Sequence, residues 1–219
     1  MDKKEIDLFL KEENRKRKQE FEEKLSHSDL TLLYKLYDES RNLGYDIQYP
    51  YDYMYIGDKA TDLIPILIKY IGRFENEGIS DQLIGALGIK NFYEATEFLL
   101  KEFKKIKSKS HVMRRWWIAQ SIASIKDKRF INVYIDLIKD ENYKIDTDRF
   151  VLLLGEWKNE EALSVILELL SCNEKQIILA AIKAVGYYKK NELKKYIEPF
   201  IAHNDKDIRK LAEKTLQKL

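Results

Sequence analysis

The 219 residues include only 8 Gly and 3 Pro, while 45% are hydrophobic and 35% are charged, a composition that favours helix along nearly the whole chain. The net charge of +2 gives no global attraction for an anionic partner, and the single cysteine, Cys172, excludes an internal disulfide. No apolar run is long enough to span a membrane and no apolar segment follows Met1, so we expect a cytoplasmic protein without a signal peptide.

Residues 1–57 are predicted to form an N-terminal helical cap with a tyrosine-rich connection. A long charged helix is expected over Lys4–Leu25. Ser28 or Asp29 can cap a second helix, which is expected to run through residue 43 and to end at Gly44. Five tyrosines then occur within residues 45–55. This segment is either an interface or a loop held over the first repeat by ring packing.

From residue 58 to residue 219, two-helix units recur along the chain. Ser124, Gly155, Gly186 and Gln217 occupy equivalent places 31 residues apart, and Gly88 precedes the first of them by 36. The five extra residues are assigned to the stretch 107–111. In each unit a first helix, A, is followed by a second helix, B, whose small and aliphatic residues form one apolar stripe. The three glycines are predicted to end B helices in a left-handed conformation.

A single helical hairpin cannot bury its own apolar face, so neighbouring hairpins must stack to make a core. We therefore predict an all-α fold, namely a right-handed α-solenoid of about five HEAT-like helical hairpins with an N-terminal helical cap. The cap and the tyrosine-rich connection take residues 1–57 and the solenoid takes residues 58–219, in one continuous domain.

Residues 204–212, with the sequence NDKDIRKLA, carry the pattern D-x-x-V-R-x-x-A with Ile in place of Val. The pattern resembles the short HEAT-like repeats of the type described in phycobilin lyases, over roughly residues 60–219, with the arginine clear in this last copy only. Residues 42–46, followed by the apolar run 63–67, resemble uncharacterised bacterial HEAT-repeat proteins. These resemblances imply a solenoid without a defined activity, and a chromophore lyase activity would rest on fold analogy alone.

No motif for catalysis or for cofactor binding is present. The three histidines fall in different predicted loops or helix ends, and no pair of His or Cys residues has metal-ligand spacing. Glycine-rich phosphate loops and nucleophile motifs are also missing. We therefore expect a protein that is not an enzyme and that has no metal site and no cofactor.

In solenoids of this kind, B helices line the concave surface. The residues ten, seven and three before each of the equivalent positions 88, 124, 155, 186 and 217 share the face opposite the apolar stripe. Apolar and aromatic side chains rimmed by charge are typical of a protein-binding surface. This face indicates a scaffold, an adaptor or an inhibitor that binds another protein. Alternatively, a flanking loop or a capping helix covers Trp117, while Trp116 is expected to pack between helices. The predicted binding residues are Arg114, Trp117, Ser121, Asp148, Leu152, Leu179 and Lys183, with Lys210 and Lys214 at the equivalent places of the last unit.

The alternative function is nucleic-acid binding through the basic segment Lys101–Arg115, which has seven Lys or Arg residues and one acid. The same segment is equally compatible with a solvated helix face, and the acidic stretch 139–174 interrupts any continuous basic stripe. The next residues, Trp116 and Trp117, resemble the paired tryptophans of HEAT-like alkylpurine DNA glycosylases. In that class carboxylates follow the tryptophans, whereas here no acid occurs before Asp127. The candidate residues for this function are Lys104, Lys105, Lys107, Arg114 and Arg115.

Overall fold

The computed structural model describes residues 3–106, 112–143 and 146–219. Across these ranges the regular structure consists of α-helices and short 3-10 turns, without a β-strand. The chain divides into two compact units, Met1–Leu99 and Leu100–Leu219. No helix within the described ranges is long and apolar enough to cross a membrane.

Unit 1 contains four helices and the beginning of a fifth. The predicted second helix exists, but its N-cap is Ser26 and not Ser28 or Asp29, because the Ser26 side chain accepts a hydrogen bond from the Asp29 amide. The buried Asp29 carboxylate instead accepts hydrogen bonds from the backbone amides of Glu75 and Asn76, at 2.8 and 2.9 Å, where the chain enters the fourth helix. The elements are α1 (Lys3–Glu22), α2 (His27–Asn42), 3-10 turns at Pro50–Tyr55 and Thr61–Leu63, α3 (Ile64–Tyr70), α4 (Glu77–Leu87) and α5 (Ala95–Lys105), which continues into unit 2.

The tyrosine-rich segment packs against α4 through its 3-10 turn. Tyr53 is fully buried, and its hydroxyl shares a 2.7 Å hydrogen bond with the hydroxyl of Ser40 on α2. Tyr55 is 81% exposed, and Tyr51 is also exposed while stacking on Tyr49 with the ring centroids 5.2 Å apart. One tyrosine therefore fixes the segment to unit 1, whereas others remain at the surface.

Unit 2 repeats the A and B helices of the predicted hairpins. Helices α7, α9 and α11 are A helices, and α6, α8, α10 and α12 are B helices. Successive B helices contact each other in chain order, α6 with α8, α8 with α10 and α10 with α12. The prediction of an all-α solenoid of stacked hairpins is confirmed. The helices are α6 (Val112–Ile125), α7 (Ile131–Lys139), α8 (Asp148–Glu156), α9 (Glu160–Glu168), α10 (Lys175–Tyr188), α11 (Lys194–Ile197) and α12 (Lys206–Leu216), with 3-10 turns at Lys128–Phe130, Leu169–Ser171, Asn191–Leu193 and Glu198–Ala202.

The predicted role of the glycines as left-handed helix ends is wrong. Gly155 and Gly186 lie inside α8 and α10, and Gly88 ends α4 with a φ of −76°. A Cβ atom on Gly155 would lie 2.6 Å from the Cβ atom of Ala184, so this glycine lets α8 and α10 approach closely. The left-handed residues after the B helices are Asn91, Lys126, Lys158 and Lys189, with φ between 53° and 73°.

Candidate functional site

The left-handed residues define the true register of the B helices. Lys126, Lys158 and Lys189 are 32 and 31 residues apart, so one extra residue lies between α6 and α8. Position by position, α6 must therefore be shifted by one residue from the predicted alignment. Trp116, and not Trp117, is then equivalent to Asp148 in α8 and Leu179 in α10.

Burial supports this corrected register. Ser121 was predicted on the binding face, but it is only 3% exposed. In the corrected register it is equivalent to Leu153 and Ala184, which are also buried. Gln120 then occupies the position equivalent to Leu152 and Lys183, and it is partly exposed.

The other predicted binding residues reach the surface to different degrees. Arg114, Trp117, Asp148, Leu152 and Leu179 are partly exposed, and Lys183 is exposed. On α12, Lys210 and Lys214 are also exposed. Because the four B helices lie side by side, equivalent residues form rows across them. We call this surface the B-helix face; its residues are Trp116, Asp148, Leu152, Leu179, Lys183, Lys210 and Lys214.

A cluster of aromatic and charged side chains occupies the α6–α8 end of the B-helix face. The rings of Trp116 and Trp117 meet edge to face, with the centroids 5.3 Å apart. The Arg149 guanidinium lies 5.2 Å from the Trp116 ring centroid, at a distance suited to a cation–π interaction. Arg149 Nε also lies 3.6 Å from Asp148 Oδ2, so the arginine joins the tryptophan to the carboxylate.

The Asp148 carboxylate is held in an unfavourable environment. Burial raises the pKa of Asp148 above its ordinary value of 3.8, while the positive charge of Arg149 and hydrogen bonds from backbone amides act in the opposite direction. The side chain of Asp148 keeps 16% of its surface exposed and that of Arg149 keeps 32%. The pair is thus partly dehydrated but still open to a ligand from solvent.

Arg115, next to Trp116 on α6, forms a buried ion pair with Asp146. Arg115 Nη2 and Asp146 Oδ2 are 2.5 Å apart, and their side chains are 4% and 2% exposed. Arg115 Nη1 also donates hydrogen bonds to the carbonyl oxygens of Ile106 and Asn142, both at 3.2 Å. The arginine therefore joins the C-terminal end of α5 to the loop before α8.

Among the residues predicted for nucleic-acid binding, Arg115 is buried. Arg115 is in the interior of unit 2, where it has no surface to offer to a phosphate. Lys104 and Lys105 are exposed on the last turn of α5, and Lys105 Nζ lies 2.5 Å from Glu102 Oε1. Arg114 is partly exposed on α6. Lys107 lies outside the described residues.

Sequence reasoning missed two members of the cluster, Trp116 and Arg149. Trp116 was assigned to packing between helices because tryptophan generally prefers burial, and the repeat alignment placed its neighbour Trp117 on the predicted binding face. Arg149 follows Asp148 directly, and its role depends on a contact across helices that spacing within one helix does not reveal. No group of three His, Cys, Asp or Glu side chains suited to a metal ion occurs among the described residues.

Comparisons with known proteins agree on the fold. No protein-family model and no curated protein matches the chain. A designed armadillo repeat protein in complex with the peptide (KR)4 superposes with a TM-score of 0.53 at 16% identity, covering 88% of this chain and 99% of that one.

Two other designed structures are similar. Computationally designed armadillo repeat proteins for modular peptide recognition give a TM-score of 0.51 at 15% identity, over 78% of this chain and 90% of that one. An engineered protein gives 0.53 at 13% identity, over 78% of this chain and 52% of that one. These likenesses show that the chain has the fold of helical repeat proteins, while the narrower HEAT and phycobilin-lyase types stay predictions.

Proposed function

We propose that this chain is a non-catalytic binding protein that holds a segment of another protein on the B-helix face. The observation that carries the proposal is the arrangement of partly exposed Trp116, Leu152 and Leu179 on three adjacent helices, with charged side chains beside them. A few side chains, most often Trp, Tyr and Arg, supply most of the free energy of binding in protein interfaces, and surrounding charges set the orientation of the partner.

The structural neighbours support a protein partner. One group was designed for modular peptide recognition, and another structure holds a bound (KR)4 peptide. Stacked repeats offer a surface along which an extended segment can contact one helix after another. Such binding would suit a cytoplasmic adaptor or an inhibitor that covers a segment of its target.

The proposal is tested by capture of partners from a lysate of the source organism with the purified full-length chain. We expect Leu179→Asp and Trp116→Ala each to reduce capture about tenfold or more, because each removes an anchor from the binding surface. Ile201→Asp is the matched control, since Ile201 is an exposed apolar residue outside the B-helix face. Circular dichroism should show unchanged helical content in all three variants.

A parallel capture after nuclease treatment separates a protein partner from a nucleic acid. A protein retained after nuclease and lost in Leu179→Asp supports the proposal. Equal capture by the wild type and both face variants would contradict it. Capture that nuclease abolishes would direct attention to Lys104, Lys105 and Arg114.

A further inference from the structure

The α10–α12 end of the B-helix face is positively charged. Lys183, Lys210 and Lys214 are all exposed on this face. Lys210 and Lys214 are four residues apart on α12, so their side chains are neighbours on one side of that helix. Lys183 occupies on α10 the place that Lys214 occupies on α12.

The carboxylate of the face, Asp148, and the carboxylate of Asp207 at the start of α12 each lie beside a basic side chain. Asp148 lies beside Arg149, and Asp207 Oδ2 lies 2.6 Å from Lys175 Nζ. By contrast, no carboxylate of the described residues lies within ion-pair distance of the three face lysines. The charge left for a ligand to neutralise is therefore positive.

This arrangement is unfavourable for the free protein. Like charges spaced four residues apart on a helix destabilise it by a few tenths of a kcal/mol. Folding gains nothing from collecting the three ammonium groups on one surface, whereas an anionic ligand would be attracted to them and would remove their repulsion.

The opposite end of the same face carries large apolar side chains beside the Asp148–Arg149 pair. Trp116 and Leu152 lie on α6 and α8, whereas Leu179 lies on α10, one turn before Lys183. A ligand that follows the rows from α6 to α12 therefore meets apolar groups first and ammonium groups afterwards.

We infer that the partner segment is an extended acidic peptide with an apolar residue at one end. The apolar residue contacts Trp116, Leu152 and Leu179, and the carboxylates contact Lys183, Lys210 and Lys214. This inference rests on the proposed function and adds the chemistry of the partner. It assigns the segment a charge opposite to that of the (KR)4 peptide bound by the designed neighbour.

Fluorescence anisotropy with three labelled peptides tests the inference on the full-length chain. Each peptide begins with two leucines, followed by (DE)4, (KR)4 or (GS)4. We expect the acidic peptide to bind at least tenfold more tightly than the other two, and its affinity to fall as salt rises because the contacts are exposed and ionic.

Charge reversal locates the site. We expect Lys210→Glu combined with Lys214→Glu to weaken acidic-peptide binding about tenfold or more, because attraction becomes repulsion at two positions. Lys194→Glu combined with Lys195→Glu is the matched control, since it makes the same change of net charge on α11, outside the face. This control should leave the affinity within about twofold of the wild type.

The possible outcomes separate this inference from the proposed function. Preference for the (KR)4 peptide, lost in Leu179→Asp, would overturn the acidic partner while supporting peptide binding on this face. Binding of none of the peptides, or equal loss in both charge-reversal variants, would also overturn the inference, and the lysate capture would then decide the proposed function by itself. Labelled single-stranded DNA that competes as well as the acidic peptide would show attraction of any polyanion and would contradict a peptide-specific site.

Discussion

At the residue scale, the partly buried carboxyl of Asp148 affects how the stability of the folded protein depends on pH. Because burial raises the pKa of this carboxyl in the folded protein, the folded state binds a proton more readily than the unfolded chain does. The stabilising contribution of the protonated form is complete below pH 3.8 and is lost as the pH rises through the raised pKa. At neutral pH the ionised carboxylate therefore opposes folding.

We expect Asp148→Asn to increase the free energy of unfolding at pH 7, because the amide keeps the shape and removes the buried charge. The gain should shrink as the pH falls and vanish below about pH 3.8, where both side chains are neutral. Urea unfolding of both proteins across this pH range measures the difference. A gain that persists unchanged at low pH would show that loss of charge is not the cause. A stabilising change that also weakens partner capture would fit the common trade between stability and function.

At the scale of the elements, the contact between α8 and α10 depends on Gly155. A Cβ atom there would lie 2.6 Å from Ala184 Cβ and 2.7 Å from Ala184 Cα, so the helices would have to move apart. We expect Gly155→Ala to lower the free energy of unfolding by about 1–3 kcal/mol, as overpacked cores do, despite the better helix propensity of alanine.

Gly186→Ala is the comparison for this prediction. A Cβ atom on Gly186 would meet the side chain of Thr215 at 3.0 Å and not a backbone, so the neighbour can adjust more easily. Urea unfolding at neutral pH should therefore show a smaller loss for Gly186→Ala than for Gly155→Ala. An equal loss would mean that the close approach of α8 and α10 does not set the cost.

The register of α6 shows where sequence reasoning stopped. The repeat period was enough to predict the A and B helices, since apolar stripes at helical spacing reflect the packing that stabilises each hairpin. It did not place the extra residue between α6 and α8, because Ser121–Ala123 fits the small and apolar stripe as well as Ile122–Ser124 does. The error put Trp117 in place of Trp116 on the predicted binding face and placed buried Ser121 at the surface.

The left-handed residues were missed for a related reason. Lys126, Lys158 and Lys189 adopt a conformation that costs an L-residue about 1–2 kcal/mol, and their side chains give no sign of it. Gly155 and Gly186 instead lie where neighbouring B helices approach each other closely. Composition alone suggested glycine for the turns, but contacts between helices determine where glycine is needed.

At the scale of the whole molecule, each helix is stabilised mainly by its neighbours in the stack. Within unit 2, α10 packs against both α8 and α12. On α12 the place taken by buried Val151 and Ile182 in α8 and α10 is taken by exposed Glu213, so that side of α12 is polar. The free energy of local opening should therefore be lower for α12 than for α10.

Hydrogen exchange followed by mass spectrometry tests this gradient. We expect backbone amides of α12 to exchange at least about tenfold faster than those of α10, because α12 can separate from the stack without breaking the contact between α8 and α10. Saturation with the acidic peptide should slow exchange in α12 more than in α7, since the peptide would contact Lys210 and Lys214 on α12. Equal protection of α10 and α12 in the free protein would show instead that unit 2 opens as a single cooperative block.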